Sequence, residues 1–294
     1  MKYAWINEQR DSFPVSVMCQ VLKVSKSGYY DWIDRPLSPR AQRHQRILES
    51  VAQVHADSHG IYGSWKVAEE LAKRDDLESV CRNTASAAMQ ELGLKSSVSK
   101  GFRPQTTQSD PAKQPAENTL NQDFTATAPN QKWVTDITYL WTDCGWVYLA
   151  VVIDLFSRKV VGWSLRDSLA TSLVMDALRQ AIERRRPEGS ELLIHSDRGC
   201  QYTSDCYQQV LKTMSITCSM SRTGNCYDNA VAERFFWSLK QEWTNHHEYA
   251  DLEAARLSVF KYIELFYNRQ RLHQSLGYKS PEEFETEHAP VVAA

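Results

Sequence analysis

The chain has 294 residues, of which 42% are hydrophobic and 24% are charged, so its composition is that of a folded protein and excludes a disordered one. The N-terminus does not resemble a signal peptide. No window reaches the roughly 18 uninterrupted apolar residues of a membrane span, so we expect a cytoplasmic protein with no membrane partner. The formal net charge of −2 argues against nucleic-acid binding unless the basic groups cluster locally.

The cysteine pattern is typical of an intracellular chain. The seven cysteines are scattered, odd in number and never spaced as C-x-x-C, which favours reduced thiols over a disulfide framework. His55 and His59 have a spacing found in zinc sites, but such a site also needs a close cysteine pair downstream, and only Cys81 is there. We therefore do not expect a structural zinc.

Residues 1–95 are expected to form an all-α region that begins with a helix-turn-helix-like pair. Residues 14–22 have helical apolar spacing, and Ser25 can cap a second short helix that is rich in aromatic residues. An amphipathic helix with several arginines is expected to follow at residues 39–54.

A second helix pair is predicted at residues 62–74 and 81–94. Asn83 is expected to be the N-cap of the second helix of this pair, and Gly93 to end that helix. Such pairs enter DNA grooves in many proteins, which makes Arg82 and Asn83, at the start of the second helix, candidate DNA-binding residues. The same spacing is also found in plain helical bundles, so both interpretations stay open.

Residues 96–130 have the composition of a linker. They are rich in Ser, Thr, Pro, Gln and Asn, and they contain few apolar side chains. Residues 102–104 and the pair Leu120 and Phe124 are exceptions, and we expect these parts of the linker to pack or to follow a partner.

The order of elements after residue 131 predicts a sheet flanked by helices. Three strands joined by short turns form an antiparallel meander, and helices then alternate with strands. The predicted elements are strands 133–142, 146–155 and 159–166, helix 170–186, strand 191–196, helix 204–214 and strand 215–220, with a helix following. This is the ribonuclease H-like plan, an α/β fold with a mixed five-stranded sheet whose later strands run parallel to the first. We assign this plan to residues 131–248, and a C-terminal helical extension to residues 249–294.

Three acidic residues far apart in the sequence are expected to meet in this fold. The strand that ends before Asp197 lies beside the strand that carries Asp136, so the two carboxylates converge. Asp136 lies among apolar residues, where an unpartnered charge is costly to bury, and this indicates a nearby cation. Glu233 lies on the polar face of a later helix, two turns before Lys240, and 35 residues lie between it and Asp197. Asp228 or Asn229 can cap this helix.

The segments around the three acids resemble a known family. Asp136 lies in WVTDITY, Asp197 in HSDRGCQY and Glu233 in GNCYDNAVAERFFWSLK, and residues 154–163 match D-x-x-S-R-x-x-V-G-W. In order and spacing these motifs are similar to the DDE transposases of the IS3 family of bacterial insertion sequences, which are relatives of the retroviral integrases. The likeness covers nearly the whole chain. It includes the motif H-x-x-x-x-G-x-Y-G from residue 55 and the late segment YNRQRLHQSLGYKSPEEF.

The resemblance implies a transposase with an integrase catalytic core that cuts DNA and joins the freed 3′-OH to another phosphodiester. Asp136, Asp197 and Glu233 are then the catalytic residues and the ligands of two Mg²⁺ or Mn²⁺ ions, and an all-carboxylate set suits such hard cations. The implied partners are double-stranded DNA, at the element ends and at the target, and further copies of the chain in a homo-oligomer on that DNA. The family's upstream reading frame adds another helix-turn-helix and a leucine zipper, so we also expect a frameshift fusion or partner, acting in the bacterial cytoplasm on the nucleoid.

Several residues near the acids have two possible roles. Lys240 can hold a phosphate near the scissile bond, or it can be an ordinary solvated lysine. Gln201 and Tyr202 match the family motif and are candidate DNA-binding residues, yet they can equally shape the loop after Asp197. We expect His195 to be a packed strand histidine.

Asp154 and the arginines at 184–186 are expected to be structural in the first instance, whereas the role of Arg271 and His273 stays open. Asp154 should order the turn between the second and third strands. The arginines at 184–186 close a helix, where cations suit the helix dipole, and phosphate contact is a second possibility. Arg271 and His273 either dock the last helix or touch DNA.

Two other functions compete with transposition. A structure-specific nuclease of the same fold would use the same carboxylate chemistry, although the helix-turn-helix region and the spacing of the acids favour transposition. A catalytically inactive DNA-binding regulator of the element is the other alternative, and the presence of all three acids argues against it.

Overall fold

The computed structural model describes residues 2–74, 80–97, 116–187, 191–221 and 229–289. The predicted segment 102–104 and the predicted cap at residue 228 lie outside these ranges. None of the helices in the described ranges is long and apolar enough to cross a membrane.

The chain begins with the predicted helical region. Its helices are α1 (Lys2–Glu8), α2 (Val15–Val21), α3 (Lys26–Asp34), α4 (Pro39–Asp57), α5 (Ser64–Ala72) and α6 (Arg82–Glu91). Ser25 caps α3 as predicted, since its side chain accepts a hydrogen bond from the Gly28 backbone N–H at 3.2 Å. The first three helices share a small core of their own, made by Ile6, Met18, Cys19 and Tyr29.

The predicted N-cap of α6 is wrong by two residues. Cys81, in an extended conformation, takes the cap position, because its carbonyl accepts the first helical hydrogen bond, from Ala85 at 3.0 Å. Asn83 therefore lies in the first turn of α6, where it is exposed. Gly93 follows the end of α6 with φ of 67°, a left-handed conformation that favours glycine, as predicted for a helix end.

The predicted five-stranded sheet is confirmed. Its strands are β1 (Lys132–Thr142), β2 (Gly145–Asp154), β3 (Val160–Arg166), β4 (Leu193–Ser196) and β5 (Thr217–Met220), in the spatial order β3-β2-β1-β4-β5. The first three strands form the antiparallel meander, and β4 and β5 run parallel to β1. The connections into β4 and β5 pass through α7 (Thr171–Arg185) and α8 (Asp205–Thr213), as parallel neighbours require.

Both faces of the sheet are buried. One face packs against α7 and α8, with Trp133 and Val152 at its centre. The other face packs against α9 (Ala230–Glu242) and α10 (Leu252–Phe260), with Val151 and Phe235 among the buried side chains. The hydrophobic cluster on this face also includes buried side chains of α4 to α6. A strand buried on both faces has few positions for charges, so Asp136 in the middle of β1 stands out.

Gly162 on β3 marks the closest approach of α7 to the sheet. A Cβ at this position would lie 2.2 Å from the Ala177 carbonyl oxygen and 2.8 Å from the Ala181 nitrogen. Gly162→Ala is therefore expected to lower the free energy of unfolding by about 1–3 kcal/mol or more, measured by urea unfolding. Ser164→Ala on the same strand is the control and should change that free energy by less than about 0.5 kcal/mol. Equal midpoints for the two variants would contradict the close packing.

The last part of the chain joins the helical region to the sheet. After α10 the helix continues as a π-helix over Lys261–Tyr267, and α11 (Pro281–Glu287) ends the described chain. The Tyr62 hydroxyl donates to the Gln270 carbonyl and accepts from the Leu272 backbone N–H, both at 2.9 Å. The residues just before α5 are thereby fixed to this C-terminal segment.

Part of the predicted linker packs as expected. Leu120 is buried, and its backbone N–H donates at 3.0 Å to the hydroxyl of Ser219, which lies on β5. Phe124 packs at the edge of the same core. Residues 116–130 are therefore attached to the sheet.

Candidate active site

The register of the sheet brings Asp136 and Asp197 together. β4 pairs with the first three residues of β1, and the last pair is Val134 with His195. Two residues further along the same register, Asp136 falls opposite Asp197, which directly follows the end of β4. Neighbouring strands lie about 4.8 Å apart, so the register accounts for the convergence of these two carboxylates.

Thr135, the residue before Asp136, connects the two other parts of the site to β1. Its hydroxyl lies 3.2 Å from the hydroxyl of Tyr202, in the loop that follows Asp197. Its carbonyl accepts a hydrogen bond at 3.2 Å from the side-chain amide of Asn229, the residue that precedes α9. The loop after Asp197 and the start of the helix that carries Glu233 are thus both held at one point of β1.

Helix α9 has the orientation that its sequence predicts. Phe235, Phe236 and Leu239 are buried, whereas Glu233 lies exposed on the other face. Lys240, two turns later, is half-buried, and its ammonium lies 4.5 Å from the centre of the Tyr139 ring on β1. The helix therefore directs Lys240 towards the strand that carries Asp136 and keeps Glu233 on its exposed face.

The electrostatics of Asp136 reflect this crowding. Burial raises the pKa of Asp136 well above its ordinary value, and the negative charges of Asp197 and Glu233 raise it further. A hydrogen bond at 2.8 Å from the Ile137 backbone N–H and the positive charge of Lys240 act in the opposite direction. The other two acids are thus close enough to influence Asp136.

The donor set fits a hard divalent cation. All three donors are carboxylates, and a cation between them would relieve the repulsion that acts on Asp136. Within the described ranges, no three histidine, cysteine, aspartate or glutamate side chains have a spacing that could hold a metal ion.

The loop after Asp197 is tightly built. The Asp197 carboxylate accepts a hydrogen bond from the Gly199 backbone N–H at 2.9 Å, and a Cβ at Gly199 would lie 3.0 Å from both that carboxylate and the Gln201 amide oxygen. The Gln201 amide donates to the Leu169 carbonyl at 3.0 Å, and Gln201 and Tyr202 are both buried. This burial favours loop shaping over DNA contact for both residues.

Three similarities to known protein families are consistent with this geometry. Two integrase core domain models match residues 126–226 and 214–281, and an HTH-like domain model matches residues 42–102. The transposase InsF for insertion sequence IS3A of Escherichia coli (strain K12) is 42% identical over 97% of this chain and 98% of its own length. The chain belongs to the IS3 family of transposases. An insertion element IS600 uncharacterized 31 kDa protein of Shigella sonnei is 38% identical over 94% of this chain and all of its own length.

A solved structure with a similar chain has a much lower sequence identity to this IS3-family transposase. A chain of the simian T-cell lymphotropic virus intasome, solved in complex with PP2A regulatory subunit B56 gamma, is 16% identical, with a TM-score of 0.47. The similarity covers 83% of the transposase and 76% of that chain.

Several neighbouring residues of the transposase have structural roles, as predicted. His195 is a packed strand histidine, with ring nitrogens 2.9 Å from the Ser219 hydroxyl and 3.1 Å from that of Ser221. Asp154 is fully buried and orders the turn before β3, where its carboxylate accepts a hydrogen bond from the Phe156 backbone N–H at 2.9 Å.

Three of the arginines considered for phosphate or DNA contact form ion pairs with carboxylates. Arg184 pairs with Glu264 at 2.7 Å, and Arg185 pairs with Glu285. Arg271 is buried and pairs with Glu242 at 2.5 Å. These contacts favour structural roles for the three arginines, and docking of the C-terminal segment for Arg271.

The remaining candidate DNA-binding residues of the helical region are accessible. Arg82 and Asn83 are exposed in the first turn of α6, and the Arg82 guanidinium lies 4.5 Å from the centre of the Trp65 ring.

Sequence reasoning missed the role of Asn229 in fixing α9 to β1, because it assigned this residue only as a helix cap. A carbonyl partner on another strand leaves no local signal in the sequence.

Proposed function

We propose that this transposase cuts and joins DNA strands at Asp136, Asp197 and Glu233, and that these carboxylates hold two Mg²⁺ or Mn²⁺ ions. The register that places Asp136 opposite Asp197, with the charge of Glu233 acting on the same group, is the observation that carries this proposal. Two such ions, when bound, activate the attacking oxygen and stabilise the leaving one.

The proposed reaction consists of two displacements at phosphorus. In the first, water attacks a phosphodiester, the P–O3′ bond breaks, and the DNA is left with a free 3′-OH. In the second, that 3′-OH attacks another phosphodiester, so one P–O bond forms as another breaks and no ATP is required. Thr135, Tyr202 and Asn229 keep the three acids on one surface through both steps.

The proposed partners are double-stranded DNA, further copies of the chain, and the product of the upstream reading frame. The exposed start of α6, with Arg82 and Asn83, is the proposed contact of the helical region with a DNA groove. A homo-oligomer on DNA would hold two element ends together.

One assay separates transposition from the two alternatives. The chain, fused to its upstream partner, is incubated with labelled element ends, target DNA and Mg²⁺. Joined products are expected. Cut products without joining would indicate a nuclease, and bound but unchanged DNA would indicate a regulator, so either result would overturn the proposal.

Lys240 is proposed to hold a phosphate close to the three acids. If it does, Lys240→Gln should reduce the slope of log affinity against log salt for duplex DNA by about 0.9, because one phosphate contact is lost. Lys212→Gln on α8 is the control, since Lys212 is an exposed cation away from the acids. An unchanged slope for Lys240→Gln would identify Lys240 as an ordinary solvated lysine.

A further inference from the structure

A cleft of about 740 Å³ lies between α5, the start of α9 and the C-terminal segment. We call it the α5–α9 cleft. Its charged and large aromatic lining residues outside the hydrophobic core are Trp65, Lys66, Arg158, Arg234, Trp237 and Arg271, together with Glu242. The cleft joins three motif segments that the proposed chemistry leaves unused, which are the region around Tyr62, the turn before β3 and the segment after the π-helix.

The cleft has an excess of positive charge. Four of its lining side chains are cations, and Glu242 is the one carboxylate among the described lining residues. Glu242 is already paired with Arg271. The charges of Lys66, Arg158 and Arg234 are therefore left to face the cleft, although the whole chain is slightly acidic.

Two of these cations are partly buried without an acidic partner. Within the described ranges, Lys66 forms no ion pair, and its ammonium lies 5.0 Å from the centre of the Tyr62 ring. Burial and the charge of Arg271 lower the pKa of Lys66 to about 8, against the influence of Glu242. The Arg158 guanidinium has a fully buried nitrogen, Nη1, with no hydrogen-bond partner in the same ranges. Such groups are costly to leave unpaired, so the cleft is suited to an anion.

Two helices also begin at this cleft. Gly63 and Ser64, the N-cap and first residue of α5, line one side, and Ala230, the first residue of α9, lines the other. No side chain caps either helix in the described ranges. The backbone N–H groups at a helix N-terminus attract phosphate, and here they supplement the unpaired cations.

Aromatic side chains accompany the cations. Trp65 is 53% exposed and Trp237 is 37% exposed, which is unusual for such large apolar rings. Arg82 stacks on Trp65 at 4.5 Å and Arg234 on Trp237 at 4.3 Å. Pairs of arginine and aromatic planes are surfaces on which nucleic-acid bases stack.

We propose that the α5–α9 cleft binds a single DNA strand, with phosphates on Lys66 and Arg158 and bases against Trp65 and Trp237. The aromatic lining favours a single strand, because its bases are free to stack on protein rings, whereas the bases of a duplex are stacked on one another. The proposal rests on the proposed transposase function and extends it. Arg82, which stacks on the lining residue Trp65, belongs to the proposed DNA-binding helix. Arg234, another lining residue, directly follows Glu233. A strand in the cleft would therefore connect the proposed DNA-binding helix with the proposed catalytic acids.

The test measures binding of a fluorescent single-stranded oligonucleotide by anisotropy, over a range of salt and without divalent metal. The double variant Lys66→Gln, Arg158→Gln should reduce the slope of log affinity against log salt by about 1.4, since each single-strand phosphate contact contributes about 0.7. The matched control is Arg179→Gln, Lys212→Gln, which removes two exposed cations outside the cleft. A slope that is unchanged in the cleft variant, or equally reduced in the control, would overturn the proposal.

Folding of the cleft variant is checked by its melting temperature. We expect no decrease in melting temperature, because the substitutions remove charges that lack ion-pair partners in the described ranges.

A second measurement needs no variant. Photo-crosslinking of an iodouridine-containing oligonucleotide to the unmodified chain should attach it at Trp65 or Trp237, and attachment only elsewhere would overturn the proposal.

The failure of this proposal can be distinguished from failure of the proposed function. Both measurements are made without metal and without cleavage. If the chain binds the strand as expected but does not join DNA, the cleft proposal stands and the proposed transposase chemistry fails. If it joins DNA but the cleft variant binds the strand with an unchanged salt slope, the proposed chemistry stands and the cleft proposal fails.

Discussion

Replacement of Asp136 by asparagine is expected to abolish metal-dependent DNA cleavage and joining. The carboxylate faces Asp197 across the sheet, so its loss removes a ligand on which the proposed cations depend. Charge stabilisation by such ions amounts to several kcal/mol, and each 1.4 kcal/mol is a factor of ten, so we expect a loss of about a thousandfold or more. Product formation on labelled element ends measures it. Asp197→Asn and Glu233→Gln should behave alike.

The same variant should be more stable than the unmodified chain when no metal is present. Asp136 is repelled by Asp197 and Glu233, and asparagine removes that repulsion. At a hundredfold excess over its dissociation constant, Mg²⁺ should stabilise the unmodified chain by about 2.7 kcal/mol and therefore raise its melting temperature. It should have little effect on the melting temperature of Asp136→Asn. The control is Asp143→Asn, in the exposed turn between β1 and β2. Normal DNA cleavage by Asp136→Asn would refute the assignment of Asp136 as a catalytic residue and metal ligand.

Removal of Arg271 is expected to have the largest effect on stability. Its side chain and that of Glu242 are 9% and 3% exposed, and the guanidinium Nε lies 2.6 Å from the carboxylate. Arg271→Met would leave Glu242 buried and uncompensated, at a cost of about 3–5 kcal/mol in the free energy of unfolding, measured by urea titration. Arg269→Met removes an exposed pair with Glu282 and should cost at most about 1 kcal/mol.

A double variant and a pH series separate the ion pair from simple packing. Arg271→Met, Glu242→Met should recover most of the lost stability, because no buried charge remains. Burial alone would raise the pKa of Glu242, but the hydrogen bonds and charge of Arg271 outweigh burial and hold it below its ordinary value of 4.5. In the unmodified chain this contribution is present above pH 4.5 and is lost as the pH falls through the lower folded value.

The single variant should respond to pH in the opposite way. Without Arg271, burial dominates and protonation of Glu242 is favoured in the folded state, so acidification should reduce the defect of Arg271→Met. A defect that is the same at neutral and acid pH would show that lost packing, and not the uncompensated carboxylate, is responsible.

Much of the catalytic core follows from short-range patterns. The strands of the meander alternate with clear turn signals, and a helix between strands requires parallel pairing, so the meeting of Asp136 and Asp197 could be predicted. The buried face of α9 followed from its helical periodicity, which also placed Glu233 on the opposite face.

Contacts between distant segments could not be predicted in this way. The hydrogen bonds of Tyr62 join residues more than 200 positions apart, and the pairing of Arg271 with Glu242 depends on how the C-terminal segment turns back. The N-cap of α6 was misplaced because asparagine is a common cap, whereas the actual cap residue, Cys81, is not. The hydrogen bond of Tyr202 with Thr135 likewise joins a loop to a distant strand.

The anchoring of Tyr62 by Gln270 and Leu272 has a consequence for damaged copies of the element. Ribosomes complete the helical region early and its anchor last. A reading frame shortened near its 3′ end would still encode all three carboxylates and every helix of the amino-terminal half, yet those helices would have lost the two hydrogen bonds that hold Tyr62. Conservation of the acidic triad alone is thus a poor guide to which genomic copies can still move.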